Sequence, residues 1–136
     1  MATVQYASPL DVFSHTALPR WARFRQQLDD EAVGSIPETM AREFARPGMA
    51  AAIAPGSRVV LTAGSRGIDR IAEVLRAAVG EVKRYGGVPF VIPAMGSHGG
   101  ATAEGQLALI EHYGVTEAYL GCPVRASMSA TPASKG

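Results

Sequence analysis

Between Val59 and Ile92 the chain runs from an apolar stretch to an amphipathic helix, a glycine pair and a second apolar stretch, and this order constrains its fold most. Val59-Val60-Leu61 is short and β-branched, with Pro55-Gly56 before it and Gly64 behind it, which reads as a buried strand. From Asp69 to Tyr85, residues Ile71, Val74, Leu75, Ala78, Val79 and Val82 share one helical face, with Asp69, Arg70, Glu73, Arg76, Lys83 and Arg84 mostly opposite. Gly86-Gly87 supplies a C-terminal stop, and Val88 to Ile92 is a second strand cut by Pro93. A helix of this length between two buried strands predicts a parallel pair with a right-handed crossover.

The pattern then repeats. The loop Ala94 to Thr102 leads into a helix from about Ala103 to Tyr113, with Leu107, Leu109 and Ile110 toward the core and Gly114 as its end. Pro123-Val124-Arg125 can begin a third strand, and the small, polar residues from Ser127 onward read as a frayed tail. On the N-terminal side, residues 1–19 read as an extended arm. Trp21, Phe24 and Leu28 predict a short amphipathic helix over residues 20–28, with Arg20, Arg23 and Arg25 elsewhere on the wheel. Ser35 and Glu38 fit a capping box with Pro37 in the first turn, predicting a helix that carries Met40 and Phe44, reaches Arg46 and stops at Pro47-Gly48. The expected fold is α/β: a partial Rossmann-like, three-layer domain with parallel βαβ units and an N-terminal helical arm. Its parts are residues 1–56 (arm and helices), 57–126 (βαβα core) and 127–136 (tail).

Composition narrows the function classes. With 136 residues, 47% of them hydrophobic, the chain can bury one modest core. Thirteen basic against twelve acidic side chains leave a net charge of +1, which argues against nucleic acid or an anionic membrane as a partner. Cys122 is the single cysteine, so no internal disulfide can form and a reducing, cytoplasmic compartment is expected. The first residues, with Pro9 and Asp11, lack the basic start and apolar run of a secretory signal, and no stretch reaches the roughly 18 apolar residues of a membrane span.

In an open parallel sheet, ligands bind at the carboxyl ends of the strands. Two loops leave that edge here, Ala63-Gly64-Ser65-Arg66-Gly67 and Gly96 through Thr102, and adjacent strands would bring Arg66 and His98 to a common crevice. Arg66, near a helix N-terminus, can hold a carboxylate in two parallel hydrogen bonds; equally it can pair with Asp69 or cap a neighbouring loop. His98 is bracketed by Gly96, Gly99 and Gly100, a setting that suits close backbone approach to a ligand. Imidazole exchanges a proton near neutral pH, which suits a general base; the alternative is a histidine that caps the helix starting near Ala103.

Neither loop carries a Walker or Gly-x-Gly-x-x-Gly pattern. His15 in the arm and His112 beside Glu111 read as solvated surface, Cys122 as a small buried hydrophobe, and Trp21 and Phe24 as core or an interdomain contact. No His, Cys and carboxylate cluster has the spacing of a closed metal site.

Three segments carry a resemblance: Leu18-Pro19-Arg20 with Arg23 and Arg25-Gln26, Gly64-Ser65-Arg66-Gly67-Ile68, and Pro93-Ala94-Met95-Gly96-Ser97-His98-Gly99-Gly100-Ala101-Thr102. Over residues 18–125 the chain resembles the nickel-dependent lactate racemase family. The resemblance implies a two-domain enzyme that interconverts the stereoisomers of a 2-hydroxy acid on a nickel pincer nucleotide. It implies that His98 takes the hydroxyl proton, that Arg66 lies beside substrate and cofactor, and that Ala63, Gly64 and Ser65 belong to the cofactor-binding loop.

Lactate racemases carry aspartate and threonine where this chain has Ala63 and Ser65, and arginine where it has Gly99. The family's second catalytic histidine, cofactor-tethering lysine and nickel-binding histidine match no residue here, and nothing is carried over to His15, His112 or Lys135. The expectation is a partial, truncated racemase-like domain bearing half of a site, completed by a second chain or domain. An anion- or nucleotide-binding module and a remnant without function are the alternatives.

Overall fold

A computed structural model describes residues 13, 17, 20–29, 31–65 and 67–129. Contacts divide the chain into Met1–Glu31 and Ala32–Gly136. In the first unit, residues 20–29 have no regular secondary structure, so the helix expected over 20–28 does not form there. Trp21, Phe24 and Leu28 are 83%, 87% and 71% exposed, and so are not core. A nine-residue helix barely holds together in water unless its apolar stripe is buried, and this stripe is not.

The second unit contains α1 (Ile36–Phe44), β1 (Arg58–Ala63), α2 (Ile71–Arg84), β2 (Val88–Pro93), α3 (Ala103–His112) and α4 (Glu117–Leu120). Each boundary has a local cause. Ser35 Oγ accepts from Glu38 N at 3.3 Å to start α1. Gly86, at φ 81°, ends α2 while Gly87 N donates back to Val82 O at 2.9 Å. Gly114 does the same for α3, with Val115 N donating to Ile110 O at 3.0 Å. The four-residue α4 runs from a Thr116 cap to Gly121, too short to leave a periodic signal in the sequence.

β1 and β2 pair in parallel, Arg58 opposite Val88 through Ala63 opposite Pro93. A strand sends its backbone groups alternately to either side. Val88 N donates to Ser57 O and Ala94 N to Ala63 O on the β1 side, whereas on the other Val91 N donates to Pro123 O at 2.8 Å and Val91 O accepts from Arg125 N at 2.9 Å. Pro89 and Pro93 therefore fall on the second edge, where their missing N–H groups leave the β1–β2 ladder intact. That edge keeps Val91 as its donor, and the expected third strand is reduced to a bridge between Val91 and Val124. Glu117 Oε1 accepts Val124 N at 2.8 Å, closing the outer edge of the bridge.

All four helices belong to one side of the sheet. Ile71, Leu75 and Val79 of α2 cluster with Ala63, Val91, Ile110 and Leu120, and a second cluster joins Phe44 of α1 to Val82 and Ile53. Phe44 and Tyr85 stack at 6.5 Å, so α1 belongs with the core and not with an N-terminal region of residues 1–56. On the opposite face Val60 and Val88 are 46% and 53% exposed, and the Arg58 guanidinium lies 5.0 Å over the Phe90 ring.

The expected three layers are thus two among the described residues. Successive crossovers of one hand put their helices on the same face when strand order simply advances, as it does from β1 to β2 to Val124; covering both faces needs a reversal. The coarse class, α/β with a parallel pair, stands. Among the described residues no helix is long and apolar enough to cross a membrane.

Two outcomes follow. Ile110→Ala, at a fully buried position, is expected to cost about 2–5 kcal/mol in chemical denaturation. Pro93→Val adds an N–H on the β2 edge that bridges Val124, and if the bridge extends to it hydrogen exchange should find that amide protected.

Candidate functional site

The parallel pair leaves its two carboxyl ends on one edge, and the loops that follow meet there. Ser65 Oγ, from the loop after β1, lies 2.5 Å from His98 Nδ1, from the loop after β2. Both residues are half-buried. The expected convergence of the loops is present, carried by Ser65 and His98. Arg66 lies outside the described residues.

Ala63 ends β1 with no exposed surface, and its carbonyl accepts Ala94 N at 2.8 Å. Its place is in the core, with its side chain beneath the sheet edge and Gly64 and Ser65 above it. Gly64 is half-buried above it, where a Cβ would meet Ile68 Cδ1 at 3.5 Å. Beyond Gly67, Arg70 rather than Asp69 precedes α2, in the left-handed region at φ 53°. Its guanidinium grips both carboxylate oxygens of Glu73. That hydrogen bond holds the Glu73 carboxyl below its ordinary range.

The second loop is fixed from below and from behind. Met95 sinks into the core beneath it. Gln106, the buried polar residue of α3, donates from Nε2 to Gly96 O at 2.7 Å. Its sequence signal was a polar residue four positions before Ile110, on the stripe that faces the core. Thr102 Oγ1 accepts from Gly105 N at 3.1 Å and donates to Gly99 O at 3.2 Å, so Thr102 caps α3 and His98 does not.

Gly99, Gly100 and Ala101 have φ of 64°, 70° and 56°, a left-handed turn three residues long. A Cβ on Gly99 would come within 2.6 Å of Gln106 N, and one on Gly105 would overlap the Gly99 carbonyl. The close approach expected between glycine and a ligand is instead, at Gly99, an approach to the first turn of α3. At that position any side chain would enter the helix backbone.

A cavity of about 590 Å³ adjoins the first loop, bounded by Gly64, Ser65, Asp69, Arg70, Tyr113 and Tyr119. A second, about 520 Å³, opens at the end of β2 between Pro93, Gln106, Leu107, Val124 and Arg125. His112 is exposed at the end of α3, its ring tilted against Tyr113; His15 lies outside the described residues. Cys122 is buried, which pushes its thiol up, with the nearby Lys83 ammonium opposing. Among the described residues no three His, Cys, Asp or Glu side chains gather closely enough to hold a metal ion.

Comparison with protein-family models, with curated proteins and with solved structures found no match for this chain. The residues of the two loops carry the functional reading by themselves.

Gly99→Ala should cost at least about 2 kcal/mol and displace the loop, checked by thermal unfolding and by loss of the Ser65–His98 contact in NMR. Gln106→Leu, which strips the Gly96 carbonyl of its donor, should cost about 1–3 kcal/mol in the same measurement.

Proposed function

We propose that this chain carries half of a lactate-racemase-like site that binds a short 2-hydroxy acid. His98 is the group that exchanges the proton of the substrate hydroxyl, and Arg66 grips the carboxylate. The observation that carries this reading is the contact between Ser65 and His98, because it joins the two loops whose residues resemble that family. A carboxylate grip and a base on one sheet edge hold a hydroxy acid by both of its functional ends, which is what orientation for proton transfer requires.

The family's nickel pincer nucleotide would accept hydride. The family's nickel-binding histidine matches no residue here, so the part proposed for this chain is binding and proton exchange. A second chain or domain completes the site in this reading.

Calorimetric titration with D- and L-lactate and longer 2-hydroxy acids tests the proposal. Binding is expected, weakened about 10- to 150-fold by Arg66→Ala, the worth of a charge-assisted hydrogen-bond pair. His98→Gln, which keeps a hydrogen-bonding side chain, should retain most of the binding. Absence of binding by every acid, or binding indifferent to Arg66→Ala, would overturn the reading.

A further inference from the structure

We propose that the outer edge of β1 is a pairing surface for a second copy of this chain, the two β1 strands joining antiparallel about a twofold axis at Val60. A strand turns its backbone groups to alternate sides. Ser57 and Ala63 turn theirs to β2, accepting Val88 N and Ala94 N, so Val59 and Leu61 face β2 as well, and Arg58, Val60 and Thr62 face away. Among the described residues nothing bonds to the backbone groups of these three. The sheet's two edges differ in this respect. On the outer edge of β2, Pro89 and Pro93 remove donors, the Val124 bridge takes up Val91, and Glu117 closes the bridge. β1 has no proline, no acidic side chain and, among the described residues, no bridge. The helix layer leaves it open too: Val59 and Leu61 pack toward the helices yet are half-buried, where Val91 of β2 is sealed. An unguarded edge of this kind is a template for another strand.

The pattern of the edge selects its own copy as the occupant. In an antiparallel pair centred on Val60, that residue exchanges N–H and C=O bonds with its counterpart, and Arg58 does so with Thr62, so every free group on the edge finds a mate. Because Val60 stands beside Phe90 in the sheet, an apolar row of Phe90, Val60, Val60 and Phe90 then crosses the open face. Charge favours the same arrangement. Arg58 is the one charged residue of β1, and its guanidinium is drawn back from the edge to lie 5.0 Å over the Phe90 ring. In the antiparallel pair the two Arg58 positions stand about 13 Å apart along the strands, beyond the screening length of about 10 Å. A parallel join of the same edges about a twofold would set Arg58 beside Arg58 and turn one copy's open face onto the helix side of the other. The antiparallel join, with its axis perpendicular to the sheet, keeps both helix layers on one side of a continuous sheet ordered β2-β1-β1-β2.

Sedimentation velocity of the full chain over a range of concentrations tests the pairing. A reversible monomer–dimer equilibrium is expected, weak because an edge contact buries less than the roughly 1,200 Å² of a standard interface, with a Kd between about 10 µM and 1 mM. Amide exchange followed by NMR locates the contact. The amides of Arg58, Val60 and Thr62 should gain protection as concentration rises, while those of Val59 and Leu61, which face β2, should not change. Val60→Pro gives β1 the guard that β2 already carries, leaving the β1–β2 ladder its donors, and should abolish the dimer. Thr62→Glu sets a carboxylate opposite Arg58 at both ends of the pair and should tighten the dimer about two- to thirtyfold, a gain that loss of folding cannot produce. A chain that stays monomeric to about 1 mM, a dimer whose Val60 and Thr62 amides exchange as fast as in the monomer, or one unmoved by both substitutions would overturn the proposal. Growth past the dimer into open-ended species would do so too, since the twofold pair leaves no β1 edge free.

Discussion

Two strands that run in the same direction cannot be joined by a turn, because the chain must travel back the full length of the sheet before starting again. That requirement, met by α2 between β1 and β2, organises everything else in residues 32–129. It buries one side of α2 against the sheet and places both outgoing loops on a single edge. The prolines of β2 fit the same constraint. Their alternation with Val88, Phe90 and Ile92 gives the strand one edge able to bond along its length and one nearly without donors.

The parts of the fold legible in the sequence were those fixed by local chemistry: the two apolar runs, the glycine stops at Gly86 and Gly114, and the Ser35 cap. Expectation failed where the outcome depends on distant surfaces. Trp21, Phe24 and Leu28 have helical spacing, but spacing only offers an apolar stripe, and in the structure these side chains stay exposed. The third layer failed for a topological reason, since no local pattern reports whether strand order reverses.

The site was legible to a similar depth. Loop position and strand adjacency brought the two loops together, yet the contact between them runs through Ser65, a residue whose chemistry looks ordinary in isolation. Gly99 was conspicuous for a sound reason joined to the wrong partner: glycine did mark a close backbone approach, but to Gly105 of α3. Gln106 was overlooked because its neighbours Leu107 and Ile110 dominate the pattern, although a buried amide is the natural group to hold a loop by its carbonyl.

The turn from Gly99 to Ala101 has reversed chirality, and this bears on which building blocks the loop accepts. For residues of opposite configuration the favoured and disfavoured halves of φ space exchange places. Gly100 has φ 70°, so a mirror-image residue introduced there by chemical synthesis would sit in its own preferred backbone conformation. The segment that carries His98 out to the sheet edge is thus a short stretch of chain whose shape suits the opposite hand to the protein that contains it.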